Sequence, residues 1–125
     1  MAVRTVNQRQ IVYVDWKFPD ENGLLRHPAI VISTSNLFEA EPMFYAVLIS
    51  SANLHPEYTV SISNADLNGS ERLDHDSYVV THFMTYFELN DSNVRPINAF
   101  VKRDKFEEIQ EKIINSVMGL ELEFE

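Results

Sequence analysis

Apolar and polar positions alternate or cluster in short runs along most of the chain, and this pattern predicts strands. "QIVYVDWKF" (10–18) is β-branched and aromatic and reads as a first strand. "PDENGLLRHP" (19–28) follows as a loop, with Asn22-Gly23 as a hairpin turn signal, because both residues tolerate positive φ. Pro28 pushes His27 away from helical geometry, and "AIVIS" (29–33) continues as a buried strand. "MFYAVLISS" (43–51) is apolar on both faces, which predicts a central strand. "EYTVSIS" (57–63) sets Tyr58, Val60 and Ile62 against polar neighbours, the pattern of a half-buried strand. "DSYVVTHFMTYFEL" (76–89) holds a fifth strand with a helical turn at its end, and "RPINAFV" (95–101) adds a short sixth.

The period then changes. Phe106, Ile109, Ile113, Val117 and Leu120 recur at three- and four-residue spacing, which predicts an amphipathic helix over 104–119. Asp104 is placed to cap its first turn with Glu107 three residues on, and Gly119 to stop it. The acidic tail "LELEFE" (120–125) alternates like an edge strand or frays. The sequence thus reads as one mainly β domain over 1–125, a twisted antiparallel sheet closed by a C-terminal α-helix.

Composition narrows the chemistry. The chain contains no cysteine, which excludes disulfides, thiolate nucleophiles and cysteine zinc sites. No apolar run reaches the roughly 18 residues of a membrane span, and the N-terminus lacks a signal-peptide core, so a cytoplasmic protein without membrane contact is expected. A net charge of −9 argues against a broad nucleic-acid footprint. Seven acids and two bases lie in 104–125, however, so more than half of the excess sits at the C-terminal end and a local basic mouth is compatible with the rest. There is no Gly-rich phosphate loop, His-x-x-x-His pair or nucleophile elbow. The four histidines are scattered at His27, His55, His75 and His82, a spacing that does not suggest a metal site.

The ordered run "IVYVDW…NGLLRHPAIVIS…FYAVLISS…DSYVV" with its closing helix resembles the MazF/PemK toxins, small endoribonucleases of type II toxin–antitoxin pairs. The resemblance implies a strongly twisted sheet or partial barrel of the MazF/PemK (CcdB-like) type, a homodimer, an antitoxin partner and no cofactor. It also implies cleavage of single-stranded RNA such as mRNA, by attack of a ribose 2′-OH on the adjacent phosphate. The family's arginine before the proline aligns with His27, with Arg26 one position away, and its strand-end Thr or Ser aligns with Ser50. By that alignment His27 is acid/base, Arg26 the phosphate-binding cation and Ser50 an orienting hydroxyl; Lys17, Asn22, Ser51 and His82 are the further candidates for substrate contact. Two departures accompany the match. The family's Gly-Asp at the start of the first strand is Arg9-Gln10 here. Where many members carry an acid, Gln and Arg on the fifth strand, this chain has His82, Phe83 and Thr85.

Plainer roles stand beside these. Arg26 and Lys17 also fit as solvated surface charges, Ser50 as a hydroxyl satisfied by backbone, and His82 as a core or interface histidine. His55 and His75 read as surface. Phe44, Tyr45, Phe83, Tyr86 and Phe87 read as core and dimer packing. The second functional class is therefore a catalytically inactive dimer or partner-binding module on the same scaffold.

Overall fold

The computed structural model describes residues 5–18, 23–89 and 94–121. Seven strands form one antiparallel sheet curled into a half-barrel: β1 (Gln10–Lys17), β2 (Leu24–Val31), β3 (Met43–Ser50), β4 (Thr59–Ile62), β5 (Leu67–Asn68), β6 (Ser77–Glu88) and β7 (Val94–Val101). Their order across the sheet is β4-β6-β3-β2-β1-β7-β5. A short helix α1 (Ser35–Ala40) precedes β3, and α2 (Arg103–Lys112) follows β7, running into a π-turn over Ile113–Val117. The mainly β architecture with a C-terminal helix agrees with the sequence reading.

Each face of the curl buries its own core. On one, Phe106, Ile109 and Ile113 of the closing helical segment cover Ile11, Ile30, Val47, Ile49, Val79 and Val101. On the other, Val12, Val14, Trp16, Phe44, Leu48 and Val80 pack together. β3 contributes alternately to both, which is why its sequence is apolar throughout, and it sits between β2 and β6 as expected.

Several boundaries differ from expectation, each for a local reason. Residues 24–28 are strand rather than loop: they pair with β1 from Lys17↔Leu24 to Tyr13↔Pro28. β3 joins β2 only from Ala29↔Leu48, so Pro28 sits where its missing N–H forfeits no ladder bond to β3. Gly23, at φ +109, begins the return of the hairpin. β4 is shorter than 57–63 because Pro56–Tyr58 forms a turn. β6 has no terminal helical turn and remains strand to Glu88. It absorbs Thr81, His82 and Phe83 as a bulge, because Leu48 pairs with Val80 while Val47 pairs with Met84.

At the C-terminal end, Lys102 rather than Asp104 occupies the N-cap, and it has no side-chain cap bond. Asp104 is the second residue of the helix, in its first turn, accepting from Lys105 N at 2.9 Å, where a carboxylate suits the helix dipole. The helical segment ends at Val117, so Leu120 falls beyond it, off the apolar face, and is 86% exposed. Residues 122–125 of the expected tail lie outside the described residues.

Arg9 has φ +79, a left-handed conformation that glycine adopts freely and that costs a side-chain-bearing residue about 1–2 kcal/mol. The strain is held by Arg9 N donating to Val31 O and Arg9 O accepting from Val101 N, both at 2.8 Å. These bonds tie the start of β1 to β2 and β7. Arg9→Gly is expected to raise the urea midpoint, with a net gain of about 1 kcal/mol or less after the entropy of the freer unfolded chain. An unchanged or lower midpoint would show that the Arg9 side chain contributes more than its backbone loses.

Candidate active site

The β2–β3 ladder stops at Ala29 and Leu48, leaving residues 24–28 bonded to β1 on one side and open on the other. At this open edge lies a pocket of about 240 Å³ lined by Tyr13, Arg26, His27, Pro28, Ile49, Ser51, Leu73, Asp74, His75 and Ser77. Arg26 and His27 are consecutive in a strand and so leave opposite faces of the sheet. Both residues nevertheless line the pocket.

Arg26 stands opposite Asp15 in the register, and its Nη1 donates to Asp15 Oδ1 at 3.2 Å. Both side chains are partly exposed, so the pair adds little stability and serves chiefly to aim the guanidinium. His27 spans the gap toward β3. Its Nδ1 lies 3.3 Å from the carbonyl oxygen of Ile49, and a carbonyl can only accept, so Nδ1 carries the proton in that contact. The neutral ring then keeps its lone pair on Nε2. Phe18 packs against this ring, centroids 5.2 Å apart.

Ser50 is buried, and its Oγ accepts from Ala52 N at 3.1 Å, the backbone-satisfied role. It is Ser51 that lines the pocket. Tyr13 is pushed above its ordinary pKa, first by burial and then by the nearby carboxylate of Asp74, with Arg95 opposing, so it remains a neutral phenol.

Lys17 and His82 come together elsewhere, in a groove of about 300 Å³ with Asp15, Trp16, Phe83, Met84, Thr85 and Phe87. The expected site therefore divides in two: Arg26, His27 and Ser51 share one pocket, and Lys17 and His82 share another. Asp15 lines the second pocket and bonds Arg26 of the first. Asn22 lies outside the described residues.

The β6 bulge explains His82's surroundings. Its ring lies 5.0 Å from both His55 and Tyr58 and 4.6 Å from Phe83, and its buried Nδ1 has no hydrogen-bond partner among the described residues. Burial first, and then the like charge of His55, lower its pKa, with Glu57 opposing. A histidine that resists protonation when folded stabilises the fold fully above the unfolded value of about 6.5, and that contribution is lost as pH falls through the lower folded value. Wild-type protein is thus expected to lose more stability from pH 7.5 to 5.5 than His82→Phe does. Urea midpoints at the two pH values measure this, and equal losses would remove His82 as the cause.

Sequence reasoning did not single out Tyr13, Asp74, His75 and Ser77 as site residues. The available signal was the polar run "DHDS" (74–77) just before an apolar strand. Among the described residues, no three His, Asp or Glu side chains are grouped to hold a metal ion, and no helix is long and apolar enough to cross a membrane.

A family profile described as the PemK-like, MazF-like toxin of type II toxin-antitoxin systems matches residues 7–117. No curated protein sequence matches the chain. Among solved structures, MazF from Deinococcus radiodurans superposes with TM-score 0.72 at 15% identity, over 94% of this chain and all of that one. Two crystal forms of MazE-MazF from the same organism give TM-scores of 0.69 and 0.67, each at 15% identity and covering 94% and 95% of this chain and all of theirs. At that identity the likeness establishes the fold.

Proposed function

The chain belongs to the PemK-like, MazF-like toxin family of type II toxin-antitoxin systems, and from that membership we propose a cytoplasmic, homodimeric endoribonuclease that cleaves single-stranded RNA and is restrained by an antitoxin protein. One observation carries the reading: Arg26, His27, Ser51 and Ser77 all line a single pocket of about 240 Å³ at an open strand edge. His27 Nε2 takes the proton of a ribose 2′-OH as its oxygen attacks the adjacent phosphorus. Arg26, with one nitrogen held by Asp15, directs its remaining N–H groups at the phosphate oxygens. Ser51 donates to the same phosphate, and Ser50 orients it by fixing the turn through Ala52. Lys17 and His82 contact a neighbouring nucleotide in the second groove.

Incubation of purified protein with mixed RNA in the presence of a chelator tests this. The expected products end in a 2′,3′-cyclic phosphate and begin with a 5′-hydroxyl. Intact RNA at enzyme excess would overturn the reading. The second reading, a non-catalytic partner-binding module, is favoured by His27 standing where the family keeps arginine and by the net charge of −9. Cells that tolerate strong expression of the chain alone would support it.

A further inference from the structure

Cleavage by a 2′-OH moves two protons, and His27 accounts for only one. Of the side chains lining its pocket, Arg26 stays charged at any working pH, Tyr13 stays neutral, and the serines do not titrate. Asp74 brings the one carboxyl group among the lining residues. Imidazole is the side chain whose unperturbed charge change falls between pH 5 and 8, and the pocket contains two: His27 and His75.

His75 is also held in place. Leu73, two residues before it, is buried, donates its N–H to Asn64 Oδ1 at 2.9 Å and accepts from Asn64 Nδ2 at 3.1 Å. Two residues after it, the Ser77 hydroxyl donates to the His75 carbonyl at 2.9 Å, and Ser77 pairs with Ile62 at the start of β6. The backbone that carries the exposed His75 at the pocket wall is thereby pinned on both sides.

We infer that His75 is the general acid of the cleavage, a second catalytic residue opposite His27; the assignment rests on the ribonuclease reading. The 2′-oxygen forms its bond to phosphorus as the bond from phosphorus to the 5′-oxygen breaks. The 2′-OH proton goes to His27 Nε2, and the proton of the His75 imidazolium goes to the departing 5′-oxygen. A 2′,3′-cyclic phosphate and a 5′-hydroxyl result, and solvent returns the transferred proton. The base must be deprotonated and the acid protonated, so His27 sets the acidic limb of the pH–rate profile and His75 the alkaline limb. Asp74 and Arg26, which line the same pocket, and Asp76, next along the chain, are the charged groups around His75.

The test begins with the site that wild type cuts in mixed RNA. An oligonucleotide of that sequence is then made twice, once natural and once with sulfur replacing the scissile 5′-oxygen, a leaving group that needs no acid. His75→Ala is expected to cleave the natural substrate about 100-fold more slowly, without the alkaline limb. It is expected to cleave the sulfur substrate nearly as fast as wild type, whereas His27→Ala stays slow on both. His75→Ala cleaving the natural oligonucleotide at the wild-type rate, or slow on both substrates, overturns the assignment while leaving the ribonuclease reading intact. Wild type that cuts no RNA overturns both.

Discussion

His27→Ala is expected to lower RNA cleavage by about 10²- to 10⁴-fold while leaving the protein folded. The rate loss follows from removing the one pocket nitrogen whose lone pair is set by geometry, since Nδ1 is committed to the Ile49 carbonyl. The fold is expected to tolerate the change because β2 is held beside His27 by seven register pairs to β1, from Ile11↔Ile30 to Lys17↔Leu24. The single bond to Ile49 is worth about 1 kcal/mol. His27→Arg, which restores the family's residue, separates charge from proton transfer: an arginine cannot lose its proton near neutrality, so the acidic limb of the profile should vanish whatever rate remains. Cleavage by His27→Ala within a few-fold of wild type would remove His27 from the chemistry.

Phe44→Ala is expected to cost about 3–5 kcal/mol, a large share of the roughly 5–15 kcal/mol that holds a domain folded. Phe44 is 0% exposed, and its ring stacks on Phe87 at 5.6 Å, with Phe87 in turn 5.8 Å from Trp16. These three rings join β3, β6 and β1 across one face of the curl, so the void cannot be filled without moving a strand. Urea unfolding measures the cost as a lower midpoint at unchanged slope. The control is Tyr86→Ala, exposed on the same strand pair and expected to change stability by less than about 0.5 kcal/mol. Similar losses in both variants would mean that burial is not what distinguishes the two sites.

How much of this was readable in the sequence depended on whether periodicity or partnership decided the outcome. β1, β3 and β7 were legible because their apolar runs have a strand period, and β3 was legible as central because both its faces are buried. The helix was legible from Phe106, Ile109 and Ile113, but its π-turn was not, since a change of hydrogen-bond spacing leaves no mark on composition. Leu24–Pro28 looked like a loop because a proline and two polar residues say nothing of a strand that is bonded on one side only. The two-residue β5 is fixed by its pairing with Val101 and Phe100 rather than by its own residues. Arg26 and His27 were pointed to by the family resemblance, which put Ser50 rather than the pocket-lining Ser51 at the strand end. His75 was not, because its relation to His27 depends on Asn64 and Ser77 anchoring a turn from another part of the chain.

The three-residue offset in β6 has an arithmetic consequence. Side chains alternate along a strand, so an odd number of extra residues exchanges the faces: Val79 and Met84 enter one core, Val80 and Phe87 the other. The strand behaves like a message read in two frames, with Thr81, His82 and Phe83 as the frameshift. Deleting one of them leaves an even count, which either turns Met84 and Phe87 toward each other's cores or forces the whole bend to be rebuilt. Deleting two restores an odd count, as an ordinary single-residue bulge, and keeps every later side chain on its own face.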